Sequence, residues 1–188
     1  MAGGSSYPNR RARPARRASS LVDLSLVDAG RNAMSIVREF EAAFNRADVG
    51  ALVACFTPGA TYVDSFYGAH TGEPALRAMF ERMFHEGRDY RWTMEVVVED
   101  RDHATAEWAF RYVVTDAVPR SAGRTISFKG MSVFELERGK IARYREYFDT
   151  GVALLQLGFA PDAMAKVLGR RLTQPRITST MPETKSSV

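Results

Sequence analysis

Cysteine is almost missing from this chain: Cys55 is alone among 188 residues. One thiol excludes an intrachain disulfide and any zinc site built from several thiolates. Cys55 lies in the apolar run 51–56. It reads as a small buried residue, and a reducing cytoplasm fits it. Histidine is nearly as scarce. His70, His85 and His103 are widely spaced, so neither a three-histidine metal site nor a Ser-His-Asp triad is favoured. No glycine-rich phosphate loop, Cys/His metal motif or nucleophile elbow occurs. No apolar run approaches the roughly 20 residues of a membrane helix. The sequence therefore carries no signature of a metal, a cofactor or a membrane span.

What is present begins with an uneven charge. The net charge is +4. Arg10, Arg11, Arg13, Arg16 and Arg17 supply +5 in the first 20 residues, which hold no acid, so the rest of the chain sums to −1. Residues 1–32 are rich in Gly, Ser, Pro, Ala and Arg and are expected to be a disordered basic extension. Three readings of it stay open. It is an arm contacting nucleic acid or membrane, an export signal that lacks its apolar stretch, or an inert segment upstream of a true start at Met34. Nucleic acid is not the expected partner of the remaining chain. Residues 33–172 are expected to form one domain, and 173–188 a loose polar tail.

Within the domain, Ile36, Val37, Phe40, Phe44 and Ala47 recur at helical spacing over about 33–47. Asp48 caps a short second helix running through Phe56, and Thr57-Pro58-Gly59 ends it. A short strand is predicted over 60–65. Glu73-Pro74 opens a third helix with Leu76, Met79, Phe80, Met83 and Phe84 on one face, closed by Gly87. The period then changes to two. Trp92, Met94, Val96 and Val98 alternate with polar residues, then Ala106, Trp108, Phe110, Tyr112 and Val114. Ile126, Phe128, Gly130, Ser132, Phe134 and Leu136 mark a third long strand, and Lys140 to Asp149 a fourth. Two apolar segments, 152–159 and 163–172, predict closing helices. Helices followed by long antiparallel strands give an α+β domain with helices on one sheet face.

The informative residues are polar ones on faces that should be buried. In the last strand, Ile141, Arg143, Arg145 and Tyr147 share one side, and their arginines predict solvent. Glu146 then points inward with Ala142, Tyr144 and Phe148. A carboxylate among aromatics loses solvation, and its pKa rises toward the range useful for acid–base work. The alternative is a glutamate bonded to a buried donor or placed at a sheet edge. Asp64 and Tyr62 share one face of the short strand, with a turn or cap role as the alternative for Asp64 and packing for Tyr62. Two carboxyls and a phenol facing one cavity can position a water or move a proton.

The segments 40–56 and 59–64, and the hairpin 132–141 leading to Tyr144-Arg145-Glu146-Tyr147-Phe148-Asp149, resemble the SnoaL-like branch of the NTF2-like superfamily. The resemblance spans about 35–149. It implies a cone of helices packed on a curved, mainly antiparallel sheet that encloses a pocket. It implies cofactor-free acid–base catalysis, of isomerase, cyclase or hydrolase type, on an apolar cyclic or polyketide-like molecule. The alternative is a non-catalytic ligand-binding or dimerising module.

By that resemblance Asp64 falls on the general-base position of ketosteroid isomerase. Phe40 and Ser132 fall where that enzyme keeps its two oxyanion donors. Tyr62, Asp64 and Glu146 fall where limonene-epoxide hydrolase holds its attacking water, and Trp108 and Phe110 replace its arginine–aspartate pair. The implied catalytic set is Asp64, Glu146 and Tyr62. The implied pocket wall is Phe40, Trp108, Phe110, Phe128, Ser132, Tyr144 and Phe148. A homodimer through the outer sheet face, which carries Thr125, Ser127, Lys129, Met131 and Val133, is implied as well.

Overall fold

The computed structural model describes residues 35–172. The basic extension and the 173–188 tail lie outside them. The order is α1 (Ile36–Asn45), α2 (Val49–Ala54), β1 (Phe56–Asp64), β2 (Gly68–Thr71), α3 (Glu73–Glu86), β3 (Gly87–Glu99), β4 (His103–Val114), β5 (Thr125–Glu137), β6 (Lys140–Phe148), α4 (Thr150–Gln156) and α5 (Pro161–Leu172). The strands form one curved open sheet in the order β2-β1-β6-β5-β4-β3. All neighbours are antiparallel except β1 and β6, which run parallel. Among the described residues no helix is long and apolar enough to cross a membrane.

Local chemistry explains most boundaries. The Asp48 carboxylate accepts the Ala51 amide at 2.9 Å and caps α2. Arg138 and Gly139 both have positive φ, 52° and 74°, the signature of the tight hairpin turn that matches strand twist. Helix α1 buries Val37, Phe40, Ala43 and Phe44 and docks on β3, an edge strand with unpaired backbone groups. The Asn45 side chain both donates to the Trp92 carbonyl and accepts from its amide, each at 2.7 Å. Glu41 accepts the Met94 amide and Arg38 donates to the Met94 carbonyl. The edge is thereby covered.

Four expectations need correction. The predicted short strand starts at Phe56, and it is half of a hairpin whose second strand, β2, was not anticipated. Gly87 does close α3, as expected, but not in the left-handed form of a glycine cap. Its backbone is extended, and it begins β3. Glycine stands there because a Cβ would lie 2.1 Å from the Tyr90 hydroxyl and 2.8 Å from the Tyr112 ring.

The other two corrections are β-bulges, in which one extra residue reverses the in–out alternation beyond it. Met94 pairs with Trp108 but Val96 with Glu107, so Glu95 is extra. Val96 and Val98 consequently face out, 54% and 66% exposed, instead of extending the Trp92 face. In β6, Arg143 pairs with Glu135 and Ile141 with Leu136, so Ala142 is extra. Ile141 is therefore fully buried rather than sharing the solvent side of Arg143 and Arg145.

Candidate active site

The parallel pairing of β1 with β6 builds the site. Tyr62 is registered with Tyr144 and Val63 with Arg145. Side chains two apart share a face, so Asp64 and Glu146 follow their tyrosines along the buried side. The two phenol rings stack with centroids 4.2 Å apart. One step further the Asp64 and Glu146 carboxyls lie side by side, near enough for each to act on the other's ionisation. Asp64 is 7% and Glu146 9% exposed.

The two carboxyls have different partners. Asp64 Oδ1 accepts the backbone amides of Phe66 at 2.5 Å and Tyr67 at 2.6 Å. Both bonds favour its charged form. Glu146 Oε1 receives one longer bond, from the Ser65 amide at 3.3 Å. Its Oε2 accepts the Tyr144 hydroxyl at 3.1 Å.

That hydroxyl ends a chain whose polarity is fixed from both ends: an indole N–H can only donate, and the single Tyr144 proton goes to Glu146. Trp108 Nε1 donates to Ser132 Oγ at 2.7 Å. Ser132 then donates to the Tyr144 oxygen at 2.6 Å, and Tyr144 to Glu146. Gly130, paired with Trp108 across the β4–β5 ladder, makes room for the indole. A Cβ there would lie 2.5 Å from the ring.

Burial pushes both carboxyls toward the neutral form. It raises Glu146 well above the usual glutamate range, helped by the nearby Asp64 charge. It raises Asp64 against the pull of its two amides. Two buried carboxyls in contact cannot both ionise readily. The amides favour charge on Asp64 and leave the shared proton on Glu146. Desolvation also drives the Tyr62 and Tyr144 hydroxyls well above the usual phenol range, so both stay protonated.

The carboxyl pair faces a cavity of about 40 Å³, walled by Met83, Trp92, Trp108, Phe110, Phe128 and Phe148 and bounded on another side by Phe66, Tyr67, Tyr90 and Tyr112. That volume holds only about three waters. Of the residues expected from sequence, Asp64, Glu146, Trp108, Phe110, Phe128 and Phe148 line it. Phe40, Tyr62, Ser132 and Tyr144 do not. All four are fully buried behind it. Phe40 packs on Phe44, Phe56, Trp92, Phe134 and Tyr144 as core. Ser132 and Tyr144 act through the hydrogen-bond chain. Tyr62, expected as a donor to the reacting group, keeps its hydroxyl fully buried beside Tyr144 and out of the cavity.

Sequence reading missed Phe66, Tyr67, Met83, Tyr90, Trp92 and Tyr112 as wall residues. Phe66 and Tyr67 sit in the β1–β2 turn, beyond where the strand was expected to end, and an aromatic pair before Gly68 was the available signal. Tyr90 precedes Trp92 at the inward spacing. Among the described residues no cluster of three or more His, Cys, Asp or Glu is arranged to hold a metal ion.

Comparison with known proteins bears on the family and the fold. A sequence profile of the SnoaL-like domain matches residues 37–144. No curated protein matches the chain at a comparable level. Among solved structures, a protein from Catenulispora acidiphila with a ketosteroid isomerase-like fold, in complex with trimethylamine, superposes with a TM-score of 0.60 at 21% identity, covering 68% of this chain and 95% of that one. A candidate polyketide cyclase from Xanthomonas campestris gives a TM-score of 0.56 at 22% identity, covering 65% and 93%. An LEH-like epoxide hydrolase of M. tuberculosis gives 0.55 at 18% identity, covering 71% and 93%. At these identities the structural matches speak to fold. The profile spans more than half of the sequence, and the chain belongs to the SnoaL-like domain family.

Proposed function

We propose that the buried carboxyl pair carries out cofactor-free acid–base catalysis on an apolar, cyclic or polyketide-like small molecule. One observation carries this reading: two neighbouring buried carboxyls with unequal partners line one aromatic cavity. Asp64, held anionic by two amides, is the base. Glu146, holding the shared proton, is the acid. Asp64 takes a proton from a carbon beside a carbonyl while Glu146 gives its proton to that carbonyl oxygen, yielding an enol. The enol then either adds to a second carbonyl, as a cyclase requires, or regains a proton at another carbon, as an isomerase requires. Asp64 ends the first step neutral and Glu146 charged, and the second step restores both. The structural likeness to a candidate polyketide cyclase supports this substrate class.

Tyr144 is a positioning residue here. Its hydroxyl fixes one Glu146 oxygen and leaves the other free for the proton. A titration of the side-chain carboxyls by NMR tests the reading in the native chain, Asp64→Asn and Glu146→Gln. One carboxyl should stay protonated near neutral pH and drop markedly when Asp64 becomes Asn. Two carboxyls titrating independently near 4 would sink it.

The outer sheet face supports a second element of the proposal, a homodimer. Val96, Met131 and Tyr147 are each more than half exposed and lie in one cross-strand row with Glu107. An apolar row of this kind fits a second copy of the chain.

A further inference from the structure

A second, larger cavity of about 340 Å³ lies beside the first, between the mouth of the sheet and the C-terminal helices. Phe66, Tyr67, Tyr90 and Tyr112 line both cavities. These four side chains therefore form a shared aromatic partition. The outer cavity is otherwise closed by Leu154, Leu157, Phe159 and Val167, with Arg82, Glu86, Arg120 and Ser121 as its polar groups.

This chamber is built, not a loose gap. Its roof is pinned to the sheet. The Gln156 amide donates to the Ser127 carbonyl at 2.8 Å and accepts the Ser127 amide at 2.6 Å. The buried Ser121 hydroxyl donates to the Leu157 carbonyl at 2.7 Å. The partition is pinned as well. The Tyr67 hydroxyl donates to Glu86 at 2.7 Å, and Arg82 engages the other Glu86 oxygen at 2.8 Å. Tyr90 and Tyr112 stack at 5.2 Å.

The size and lining match small-molecule sites, which run roughly 300–1,000 Å³ and are mostly apolar with a few polar groups. The charge is unbalanced. Glu86 is committed to Arg82, which leaves the Arg120 guanidinium, seated 4.9 Å over the Phe159 ring, as the uncompensated charge of the lining. Flat aromatic faces with one unpaired guanidinium suit an aromatic anion, because the guanidinium presents donors to a carboxylate or sulfonate and the rings stack on the body.

We propose that the outer chamber is a binding site for the body of a flat aromatic anion, whose acidic group sits at Arg120 while its reactive end meets the aromatic partition that borders Asp64 and Glu146. The direction of that reactive end rests on the acid–base reading of the inner cavity. Occupancy of the chamber does not.

The test uses two naphthalene dyes with closely similar ring systems, the anion 1-anilinonaphthalene-8-sulfonate and the uncharged N-phenyl-1-naphthylamine, titrated by fluorescence. Arg120→Gln should weaken the anion about three- to tenfold, the scale of one surface charge interaction, and leave the neutral dye unchanged. Leu157→Trp, which fills the chamber, should weaken both. Val167→Trp, on the other roof helix, replaces it if circular dichroism shows that the first variant is unfolded. Met131→Glu on the outer sheet face should change neither. Anion binding that ignores Arg120→Gln, or dye binding that survives a filled chamber, overturns the proposal. Asp64→Asn and Glu146→Gln should retain dye binding. Failure of the carboxyl titration would thus remove the catalytic reading and leave the chamber standing, and failure of the dye test would do the reverse.

Discussion

The two faces of the same sheet obey different rules. On the inner face of β4, β5 and β6, Trp108, Ser132, Tyr144 and Glu146 are each held by a named neighbour, and nothing there is interchangeable. On the outer face, Lys129 pairs with Glu95 and Arg145 with Glu135, in reach of solvent. The backbone is common to both, so the difference is solvent. A polar group in water trades partners at little cost, whereas a buried one must find its partner in the protein. Chemistry is therefore to be sought where the sequence places polar groups among aromatics, not where it places most of its charges.

Five experiments would break or sharpen that contrast. Trp108→Ala removes both packing and the donor to Ser132. It should destabilise the domain by about 3–5 kcal/mol in urea unfolding. A loss below about 1 kcal/mol would mean that the inner face is not close-packed.

Tyr144→Phe keeps the ring but leaves the Ser132 proton without its acceptor and Glu146 without its donor. A cost of about 1–3 kcal/mol is expected. The Glu146 pKa should rise further, since the lost bond had favoured the carboxylate. Combined with Ser132→Ala, the cost should be less than additive, because both changes break one chain. Additive losses would show that the chain does not act as a unit.

The pH dependence follows from linkage. Glu146 is raised in the folded state, so the native chain holds that proton longer than the unfolded one. Its contribution is fully present below the unfolded value of about 4.3 and is lost as pH rises through the folded value. The native chain should lose stability across that window, measured by urea midpoints from pH 5 to 9, and Glu146→Gln should flatten the slope. A wild-type profile already as flat as the variant's would argue that Glu146 is solvated.

The smallest effect belongs to the outer face. Glu135→Gln should cost less than about 1 kcal/mol, since its bridge to Arg145 is partly exposed. Met131→Glu should leave the monomer's unfolding nearly unchanged but shift sedimentation toward a smaller species. If the native chain is a monomer at all concentrations, the proposed dimer is excluded.

How much of this was readable beforehand depended on periodicity. The inward set on β4 and β5 follows from alternation, and so do Asp64 and Glu146 on their strands. Alternation failed at Glu95 and Ala142, because a bulge is a pairing event between strands and leaves no mark on one strand alone. It also gave no access to depth. Phe40, Tyr62 and Tyr144 face the same side as the cavity wall but lie behind it, and only packing in three dimensions separates wall from core. The β1–β2 turn depends on the Asp64 carboxylate gripping two amides, the turn role that the sequence offered only as the alternative to a catalytic one.

The one parallel pairing in the sheet joins β1 to β6, and the Ser65 amide meets Glu146 across 81 residues of chain. Every other strand pair closes within a local hairpin or a single loop. Contacts so distant in sequence carry the largest loop-closure entropy and are slow to form. A chain emerging from a ribosome, or one trapped part-folded, can have its helices and its β3–β6 meander and still lack a carboxyl pair. The carboxyl pair is thus a mark of completed folding, absent until the last strand has found the first.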